Sequence, residues 1–390
     1  MASKRIIVTS ALIIISFALA ACSSDDKTSE STSTSKSTTT KSTPPPVQPE
    51  LETSVLFDGL SKPWDIAFID KQTFLFTEKS GSIKVVKKNE LSELAKISDV
   101  KDAGEGGLLG LAIDTDFDTN RFIYVCFNSK KASDIRVARY EVDQNVTKIQ
   151  NEKIIVTGIN SKESGRHSGC RIKSANDGNL FVGTGDAANA NTPQNPKSLS
   201  GKILRIDREG KGVQGNLGEP FDNRIFNYGH RNVQGIALFD KPTDGVYGFS
   251  AEHGPDIDDE VNLIRSGNFG WAPTGSYNES VPMTDTRKFP DAISAVWSSG
   301  DPTIAPSGAT LISGEKWGTY NGALALAVLK GSKVKILKFD RDYSISFDVD
   351  VLKDFGRIRS IVQGPDGNLY FVTDDSSDGK IVKVTPSISS

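Results

Sequence analysis

A weak internal repeat constrains the fold more than any other feature of this sequence. The segment from Ala175 to Asp186 reads ANDGNLFVGTGD and resembles the segment from Gly364 to Asp375, which reads GPDGNLYFVTDD. Each copy has an Asp-Gly turn, then an apolar run, then a polar end, and residues 68–78 form a degenerate third copy. Turn-and-strand units that recur along a long chain indicate radial repetition of one small sheet.

Short β-rich runs separated by turn residues fill the chain after residue 50. Examples are Thr73–Thr77 and Arg121–Cys126, and Gly, Asp, Asn and Pro recur between such runs about every 8 to 12 residues. Helical periodicity is nearly absent. About 340 residues follow residue 50, enough for about six four-stranded blades at roughly 50–60 residues each. We therefore predict an all-β chain in which residues 51–390 form one six-bladed β-propeller.

The first residues are typical of an export signal. Lys4 and Arg5 precede an apolar stretch, Ile6–Ala21, that is too short to span a membrane as a helix. The stretch ends in Leu-Ala-Ala followed by Cys22, which is the lipobox pattern of bacterial lipoproteins. We predict that residues 1–21 are a lipoprotein signal peptide and that Cys22 carries lipid. The alternative is an ordinary signal peptide with an incidental cysteine.

The composition of residues 22–50 predicts a disordered tether. Ser, Thr, Lys, Asp and Pro dominate this segment, and it has too few apolar side chains to form a core. We therefore expect an exported protein that is anchored to the cell envelope and touches the membrane only through its lipid. The formal net charge of −3 and the short basic stretches give no indication of nucleic-acid binding.

Two further cysteines, Cys126 and Cys170, follow in the propeller region. An exported protein is able to pair them in a disulfide. They are far apart in sequence, and each lies among strand-like residues. We expect two separate buried thiols.

The chain has three histidines, His167, His230 and His253, and each lies in a turn-like segment next to glycine. Glycine lets the backbone approach a ligand closely, and histidine is the side chain suited to moving a proton near neutral pH. A single loop histidine is more often a hydrogen-bonding surface residue, but the shared pattern favours a functional role. The spacing does not fit a zinc site.

An acidic cluster follows His253 in the segment EHGPDIDDEVN. It contains Asp256, Asp258, Asp259 and Glu260, and calcium prefers hard oxygen ligands such as carboxylates and backbone carbonyls. The spacing is not that of an EF-hand. A calcium site and a solvated acidic loop are equally compatible with the pattern.

Near the C-terminus, Arg357 and Arg359 alternate around Ile358. In a strand both guanidinium groups face the same side, which suits a ligand with several carboxylates. The alternative is a pair of solvated surface arginines.

Motifs in consistent order over nearly all of residues 55–385 resemble the glucose/sorbosone dehydrogenase family of soluble quinoprotein aldose dehydrogenases. Each motif is short, and their order along the chain makes the resemblance specific. They are PWDIAF at 63–68, GEGGLLGLA at 104–112, LSGKILRI at 199–206, GHRNVQG at 229–235, EHGP at 252–255, DEVNL at 259–263, NFGW at 268–271, IAPSG at 304–308, GRIR at 356–359 and GPDG at 364–367.

The resemblance implies a pyrroloquinoline quinone (PQQ) cofactor across the channel mouth, calcium, and oxidation of aldose sugars at the C1 hydroxyl to the lactone. His167 matches the general base, and Arg231 matches a residue near the reactive quinone carbonyls. Other residues match the cofactor contacts: Glu105, Asn232, Thr303, Lys330, Arg357 and Arg359. The backbone carbonyls of Gly254 and Pro255 match ligands of the active-site calcium. Asp259, in the same acidic segment, is a further predicted metal-site residue, and Glu260 and the Phe269 carbonyl match a second, structural calcium site.

Several positions depart from the family pattern. Glu105 replaces a frequent Gln, and Arg166 replaces an acidic residue before the base; we expect Arg166 to point to solvent. His253 occupies the place of a Gln in the glucose-oxidising branch, although the aldose branch has His there. Asp301 stands where the glucose-oxidising branch has a Trp that covers the cofactor. Asp301 and shorter loops than in the glucose-oxidising branch predict broad aldose specificity. Separately, the segment between Glu260 and Phe269 is one residue shorter than in much of the family.

Two other functions are compatible with such a propeller. One is a calcium-dependent lactonase or esterase, and the other is a non-enzymatic binding propeller on the cell surface. A lactonase has no need to gather Arg231, Lys330, Arg357 and Arg359, and a binding propeller has no need for a proton-transferring histidine. We therefore favour a dehydrogenase with a small-molecule sugar substrate and a separate electron acceptor.

Overall fold

The computed structural model of the chain describes residues 47–387. The predicted signal peptide, the predicted lipid site Cys22 and most of the predicted tether lie outside these residues. The first strand begins at Glu50, one residue before the predicted start of the propeller. None of the helices in residues 47–387 has the length and apolar character needed to cross a membrane.

Within residues 47–387, twenty-five strands form six sheets, one for each blade of a propeller. Blades 1 to 3 contain β2 (Pro63–Asp70), β3 (Thr73–Glu78), β4 (Ser82–Lys87) and β5 (Glu90–Lys96); β6 (Leu108–Ile113), β7 (Phe122–Asn128), β8 (Asp134–Val142) and β9 (Ile149–Asn160); and β10 (Gly169–Ser174), β11 (Leu180–Thr184), β12 (Lys202–Ile206), β13 (Ile225–Tyr228) and β17 (Gly267–Asn268). Blades 4 to 6 contain β14 (Val233–Thr243), β15 (Val246–Glu252), β16 (Glu260–Leu263) and β18 (Trp297–Ser298); β19 (Pro306–Leu311), β20 (Leu324–Val328), β21 (Lys333–Phe339) and β22 (Ile345–Val351); and β23 (Ile358–Gln363), β24 (Leu369–Thr373), β25 (Gly379–Ser387) and β1 (Glu50–Leu60). The helical segments of this region are α1 (Phe117–Asn120) and two 3-10 helices, Glu315–Tyr320 and Lys353–Phe355.

The first strands of the six blades form a closed ring around the axis. In the order β2, β6, β10, β14, β19 and β23, each strand contacts the next, and β23 contacts β2. The ring is fastened by β1, which comes first in the chain but pairs antiparallel with β25 at the outer edge of blade 6. This arrangement confirms the predicted six-bladed, all-β propeller.

The copies of the sequence repeat occupy the same place in three blades. Each copy covers the turn after the first strand and then the second strand, which is β3, β11 or β24. In the two clear copies the turn glycines, Gly178 and Gly367, have φ angles of 79° and 76°, which residues with a Cβ atom rarely adopt. The side chains of Asp177 and Asp366 accept hydrogen bonds from the backbone two residues later and fix each turn.

The apolar core lies between adjacent blades. Leu75 of blade 1 belongs to one buried cluster with Val125 of blade 2, and Phe76 of blade 1 belongs to another with Val372 of blade 6. A single blade exposes both of its faces, so it needs both neighbours to bury its apolar side chains. The closed ring therefore holds the loops at the mouth of the axis in fixed positions.

A buried ion pair crosses the axis beneath these loops. Arg171 on β10 and Asp65 on β2 lie 2.6 Å apart and are fully buried. Arg171 also donates from Nε to the backbone carbonyl of Gln234 on β14, and the Ser360 hydroxyl on β23 donates to Asp65. Four blades are thus joined at one point. Removing one partner of such a pair costs about 3–5 kcal/mol because the other charge remains buried.

The expectation of two separate thiols at Cys126 and Cys170 is wrong. The two residues form a disulfide, with Cα atoms 6.1 Å apart, that links β7 of blade 2 to the start of β10 in blade 3. Their separation of 44 residues hides this proximity, because the second strand of one blade packs against the first strand of the next although most of a blade of chain lies between them.

Candidate active site

Loops that lead into the inner strands carry most of the residues that the sequence singled out. Glu105 precedes β6, His167 precedes β10, Asn232 precedes β14, Thr303 precedes β19 and Arg357 precedes β23. These residues gather at one end of the axis, because the first strands of all blades start there. A separate cavity of about 890 Å³ is lined by the other ends of the inner strands, and none of the predicted site residues lines it.

His167 forms a buried pair with Asp186, which lies two residues after the end of blade 3's second strand. Nδ1 of His167 lies 2.8 Å from Oδ1 of Asp186, and Asp186 has no solvent exposure. A carboxylate only accepts hydrogen bonds, so Nδ1 carries the proton and donates it. Nε2 then bears the lone pair, and it has no hydrogen-bond partner among the side chains and backbone of residues 47–387. This atom is a suitable proton acceptor.

Three further donors saturate the Asp186 carboxylate. The backbone N–H of Ala188 donates to Oδ1 at 2.8 Å, and the Trp271 indole donates to Oδ2 at 2.8 Å. The Tyr277 hydroxyl donates to Oδ2 at 2.6 Å and lies 3.0 Å from Nδ1 of His167. Burial and the charge of Asp186 raise the pKa of Tyr277 above its usual value, so the phenol stays protonated.

The other two histidines are less suited to accept a proton. His230 uses both ring nitrogens, with Glu252 2.7 Å from Nδ1 and the Asn227 side chain 3.0 Å from Nε2. His253 donates from Nε2 to the carbonyl of Pro306 at 2.8 Å. Burial lowers the pKa of His253, and neighbouring positive charges lower it further although two carboxylates oppose them. A histidine with a lowered pKa is a weaker base.

Arg231 is buried next to the His167–Asp186 pair, and its guanidinium is held by two acceptors. Its Nε donates to Glu279 at 2.9 Å, and its Nη1 donates to the backbone carbonyl of His253 at 2.9 Å. Arg166 is exposed, but its guanidinium does not point simply to solvent as predicted, because it pairs with Glu279 and lies 5.5 Å from the Tyr277 ring centroid. Glu279 therefore neutralises part of the positive charge of both arginines. Burial opposes ionisation of this carboxyl, but the two arginines hold its pKa below the usual range.

Asn232 connects Glu105 with the start of β10. Its Nδ2 donates to Glu105 at 2.9 Å, and its Oδ1 accepts from the backbone N–H of Gly169 at 3.1 Å. Burial opposes ionisation of Glu105, but the charges of His167 and His253 and the Asn232 hydrogen bond lower its pKa. The predicted cofactor residues Glu105 and Asn232 thus lie directly beside the His167 loop.

Two of the predicted carboxylate-binding cations gather around one acidic residue. Arg357 and Arg359 both pair with Asp374, at 3.3 and 2.9 Å, so they face the same side as predicted. This leaves an excess of one positive charge at Asp374. Lys330 instead donates to the Thr303 hydroxyl at 3.2 Å and forms no ion pair within residues 47–387. The Nε atom of Arg359 is buried and has no hydrogen-bond partner within residues 47–387.

The segment with the Gly254 and Pro255 carbonyls is fixed from inside by Asp259. One carboxylate oxygen of Asp259 accepts from the backbone N–H of Gly254 at 2.8 Å, and the other accepts from the N–H groups of Ile304 and Ala305. A Cβ atom at Gly254 would lie 2.1 Å from a backbone oxygen, so only glycine fits there. Asp259 therefore positions the loop and has three backbone donors of its own.

Glu260 points into a different, fully enclosed polar cluster. Its Oε2 accepts from Asn262 Nδ2, and the same amide donates to the buried Glu252 at 3.0 Å. The Oδ1 atom of Asn262 is buried without a hydrogen-bond partner in the described part of the chain. The Phe269 ring stacks on His230, the other partner of Glu252. Burial and the charge of Glu252 raise the pKa of Glu260 to about 8.

The acidic segment thus does not gather its four carboxylates around one point. Asp256 and Asp258 are outside both clusters, and Asp258 accepts from the Ser298 hydroxyl. No group of three or more His, Cys, Asp or Glu side chains in residues 47–387 converges as a metal site. A cation at either place would depend on backbone carbonyls or an amide oxygen as well as carboxylates.

Comparison with known proteins decides the family. The family model described as Glucose / Sorbosone dehydrogenase matches residues 60–383. The chain belongs to this family. The aldose sugar dehydrogenase YliI of Escherichia coli (strain K12) is 29% identical over 359 residues, which cover 86% of this chain and 93% of that protein. Quinoprotein glucose dehydrogenase B of Acinetobacter calcoaceticus is 23% identical over 433 residues, covering 87% of this chain and 88% of that protein.

A solved structure agrees with this assignment. The PQQ-bound form of aldose sugar dehydrogenase from Streptomyces coelicolor superposes with a TM-score of 0.71 at 27% identity, covering 87% of this chain and all of that one. The resemblance read from the motifs is confirmed. The glucose/sorbosone dehydrogenases are sugar oxidoreductases, so the broad enzyme class is confirmed with it.

Three residues of this glucose/sorbosone dehydrogenase site were missed by the sequence reading. Asp186 is the polar end of a repeat copy, directly after a strand, and that position could have singled it out. Tyr277 and Glu279 lie in the loop between β17 and β18, beyond the NFGW motif at its start, in a stretch that carries no repeat and no motif. Only the folded loop brings them to His167 and Arg231.

Proposed function

We propose that the protein oxidises aldose sugars at the C1 hydroxyl to the lactone, with PQQ as the cofactor. The observation that carries this proposal is the buried His167–Asp186 pair, in which Nε2 of His167 is the unpartnered acceptor atom. The names of the relatives support it, since they include a quinoprotein glucose dehydrogenase and a PQQ-bound aldose sugar dehydrogenase.

The side chains at the mouth of the axis fit a ligand that carries several carboxylates. Arg357 and Arg359 outnumber their shared partner Asp374, and Lys330 has no carboxylate partner among the described residues. The Arg359 Nε atom is a buried donor without an acceptor in the same part of the chain. Charge-assisted hydrogen bonds from such groups are the usual means of holding carboxylates. When bound, the quinone accepts the hydride from the sugar C1 atom.

His167 would supply the proton chemistry of this reaction. Its Nε2 atom takes the proton from the C1 hydroxyl as the C1–H bond breaks, and the lactone carbonyl forms from that oxygen. Asp186 stabilises the imidazolium and fixes its tautomer through Nδ1, much as the buried aspartate does in a catalytic triad. Arg231 lies beside the pair, where its guanidinium stabilises negative charge that develops nearby.

Calcium fits the two places where oxygen atoms lack donors. The carbonyls of Gly254 and Pro255 sit in a loop that Asp259 holds, and we propose them as ligands next to the quinone. In the enclosed cluster, the Glu260 carboxylate and the unpartnered Asn262 oxygen are hard donors of the type that calcium prefers, together with the Phe269 carbonyl. A bound cation there would acidify Glu260 and compensate its charge.

Reconstitution tests the proposal. Apo-protein is mixed with PQQ and calcium, quinone absorbance is followed, and aldoses are added with a redox dye. We expect quinone binding and aldose-dependent dye reduction. The double variant Arg357→Gln/Arg359→Gln serves as a control that should lose quinone affinity while keeping the fold. Hydrolysis of sugar lactones or esters without quinone, and no dye reduction, would instead support a propeller hydrolase.

A further inference from the structure

We propose that Tyr277 is a positioning residue for His167, and that its hydroxyl tunes how strongly Asp186 draws a proton onto the imidazole. The inference rests on the proposed role of His167 as the base. It concerns a residue that no sequence motif indicated.

The Tyr277 hydroxyl touches both members of the buried pair. It donates to Oδ2 of Asp186 at 2.6 Å, and its oxygen lies 3.0 Å from Nδ1 of His167. The Tyr277 and His167 rings are tilted, with centroids 5.8 Å apart. Nε2, the atom proposed to accept the proton, has none of these contacts. Tyr277 therefore acts on the base through Asp186 and does not compete for the acceptor atom.

Hydrogen bonds to a carboxylate spread its negative charge. Asp186 accepts four of them, from His167, Tyr277, Trp271 and the Ala188 backbone. Each additional donor weakens the attraction between the carboxylate and a protonated imidazole. Because its phenol stays protonated, Tyr277 remains a donor throughout the physiological pH range. Asp186 thus keeps His167 oriented. Because Asp186 also binds the other donors, it stabilises the imidazolium only moderately, so His167 can release its proton again.

Tyr277 does not depend on its own hydroxyl for its place. Thr274 and Asn278 exchange backbone hydrogen bonds on either side of it. The next residue but one, Glu279, is anchored on Arg231, and the Arg166 guanidinium lies 5.5 Å from the Tyr277 ring centroid. A Tyr277→Phe substitution keeps the ring and removes only the donor. We therefore expect the loop to stay in place.

The other charged groups around His167 are not altered by this substitution. Glu105 faces it from the loop before β6, where burial opposes ionisation of its carboxyl and attraction to His167 and His253 lowers its pKa. Arg166 precedes it in the same loop, Arg231 lies in the loop before β14, and both are paired with Glu279. A change in the titration of His167 can thus be assigned to the altered Asp186.

The first test uses the apo-protein, independently of any turnover. The chain has only three histidines, so ring ¹⁵N and ¹H NMR signals can be assigned with single His→Gln variants. In Tyr277→Phe we expect the titration midpoint of His167 to move to higher pH by about half a unit to one unit. One hydrogen bond to a charged group is worth about one to two units, and only part of that reaches the imidazole through Asp186. The signals of His230 and His253 should not move.

The second test follows turnover. In the reconstituted protein, the acidic limb of the kcat/KM profile should move to higher pH in Tyr277→Phe by the same amount. Well above that limb, turnover should fall only a few-fold. Tyr370→Phe is the matched control, because its hydroxyl donates to Asp366 at 2.8 Å, remote from the site. It should leave both the NMR titration and the pH profile unchanged.

The outcomes separate the two proposals. A folded Tyr277→Phe protein with an unchanged His167 titration and an unchanged acidic limb would overturn the role of Tyr277. If wild-type protein binds quinone but oxidises no aldose, the proposed function fails, and the NMR titration still reports whether Tyr277 acts on His167 through Asp186.

Discussion

The Nδ1 atom of His167 lies 2.8 Å from Oδ1 of Asp186, and both side chains are buried among fixed hydrogen-bond donors. Asp186 follows the second strand of blade 3, and His167 precedes the first strand of the same blade. Two adjacent strands of one antiparallel sheet thus set the pair, and the pair does not rely on a mobile loop. Rigid support of this kind favours precise proton transfer.

Asp186→Asn should therefore lower kcat by about a hundredfold or more. An amide can donate to Nδ1 and stabilise the wrong tautomer, in which Nε2 carries the proton. Quinone binding should change little, since the cationic residues lie elsewhere at the mouth. Reconstituted turnover and quinone titration measure the two effects. A variant with near-normal kcat would remove Asp186 from the proposed mechanism.

The fold could be predicted from the sequence because the propeller repeats itself. The turn glycines Gly178 and Gly367 sit at equivalent places in two blades, and the copies at these positions were enough to indicate radial repetition. The Cys126–Cys170 disulfide could not be predicted in the same way. It depends on which positions of neighbouring blades face each other, and a repeat with few recognisable copies does not fix that register.

The site was predictable where it lies on strand ends and not where it lies in long loops. Arg357 and Arg359, at the start of β23, both pair with Asp374, in agreement with the side that strand alternation predicts. The acidic segment was read as one cluster, but Asp259 turns inward to backbone donors and Glu260 enters another cluster. The spacing of acidic residues in the sequence does not show that the side chains of Asp259 and Glu260 point in different directions. The irregular loop that holds Tyr277 gave no signal for the same reason.

Glu260 predicts how the stability of cation-free protein depends on pH. Its pKa is raised to about 8 in the folded state, against about 4.3 in an unfolded chain. Between these values the folded state binds the additional proton, so the free energy of unfolding falls as pH rises. The contribution is fully present below about pH 4 and is lost as pH rises through about 8, with an upper bound of roughly 3–5 kcal/mol.

Melting curves in chelator at pH 5, 6.5 and 8 measure this slope. Glu260→Gln should flatten it, because the amide has no proton to lose. Calcium should stabilise the wild type more at pH 8 than at pH 5. At a hundred times its dissociation constant, the bound ion should raise the free energy of unfolding by about 3 kcal/mol. An unchanged slope in Glu260→Gln, or no effect of calcium at pH 8, would contradict the proposed structural site.

The protein should act on a broad range of aldoses, including disaccharides, with modest affinity for each. Asp301 is exposed at the rim, where the glucose-oxidising branch carries a covering Trp. With less cover over the cofactor, fewer groups recognise the distal part of the sugar. Steady-state kinetics on a panel of mono- and disaccharides provide the check, and strict preference for glucose would contradict the prediction.

The last element outside the propeller is the predicted lipoprotein signal, in which Cys22 is the predicted site of lipid attachment. We propose that the mature chain begins at Cys22 and stays on the cell envelope. Mass spectrometry of the protein from membranes should find diacylglyceryl-modified Cys22 at the N-terminus. Cys22→Ser should release the protein from the membrane fraction without changing its turnover, since the propeller begins at Glu50. An unmodified N-terminus at another position would exclude the anchor.

His167→Gln is the most direct test of the proposed chemistry. Glutamine keeps a polar side chain of similar reach but has no basic nitrogen, so the C1 hydroxyl loses its proton acceptor. We expect kcat to fall by about a hundredfold or more, the usual scale for losing a general base. Quinone affinity should stay within a few-fold, because Lys330, Arg357 and Arg359 are untouched.

His230→Gln is a poor control, since both of its ring nitrogens are bonded in the Glu252 cluster. Tyr370→Phe, remote from the site, serves better. Near-normal turnover with bound quinone would remove His167 from the mechanism, whereas loss of quinone binding would make it a residue that shapes the cofactor site.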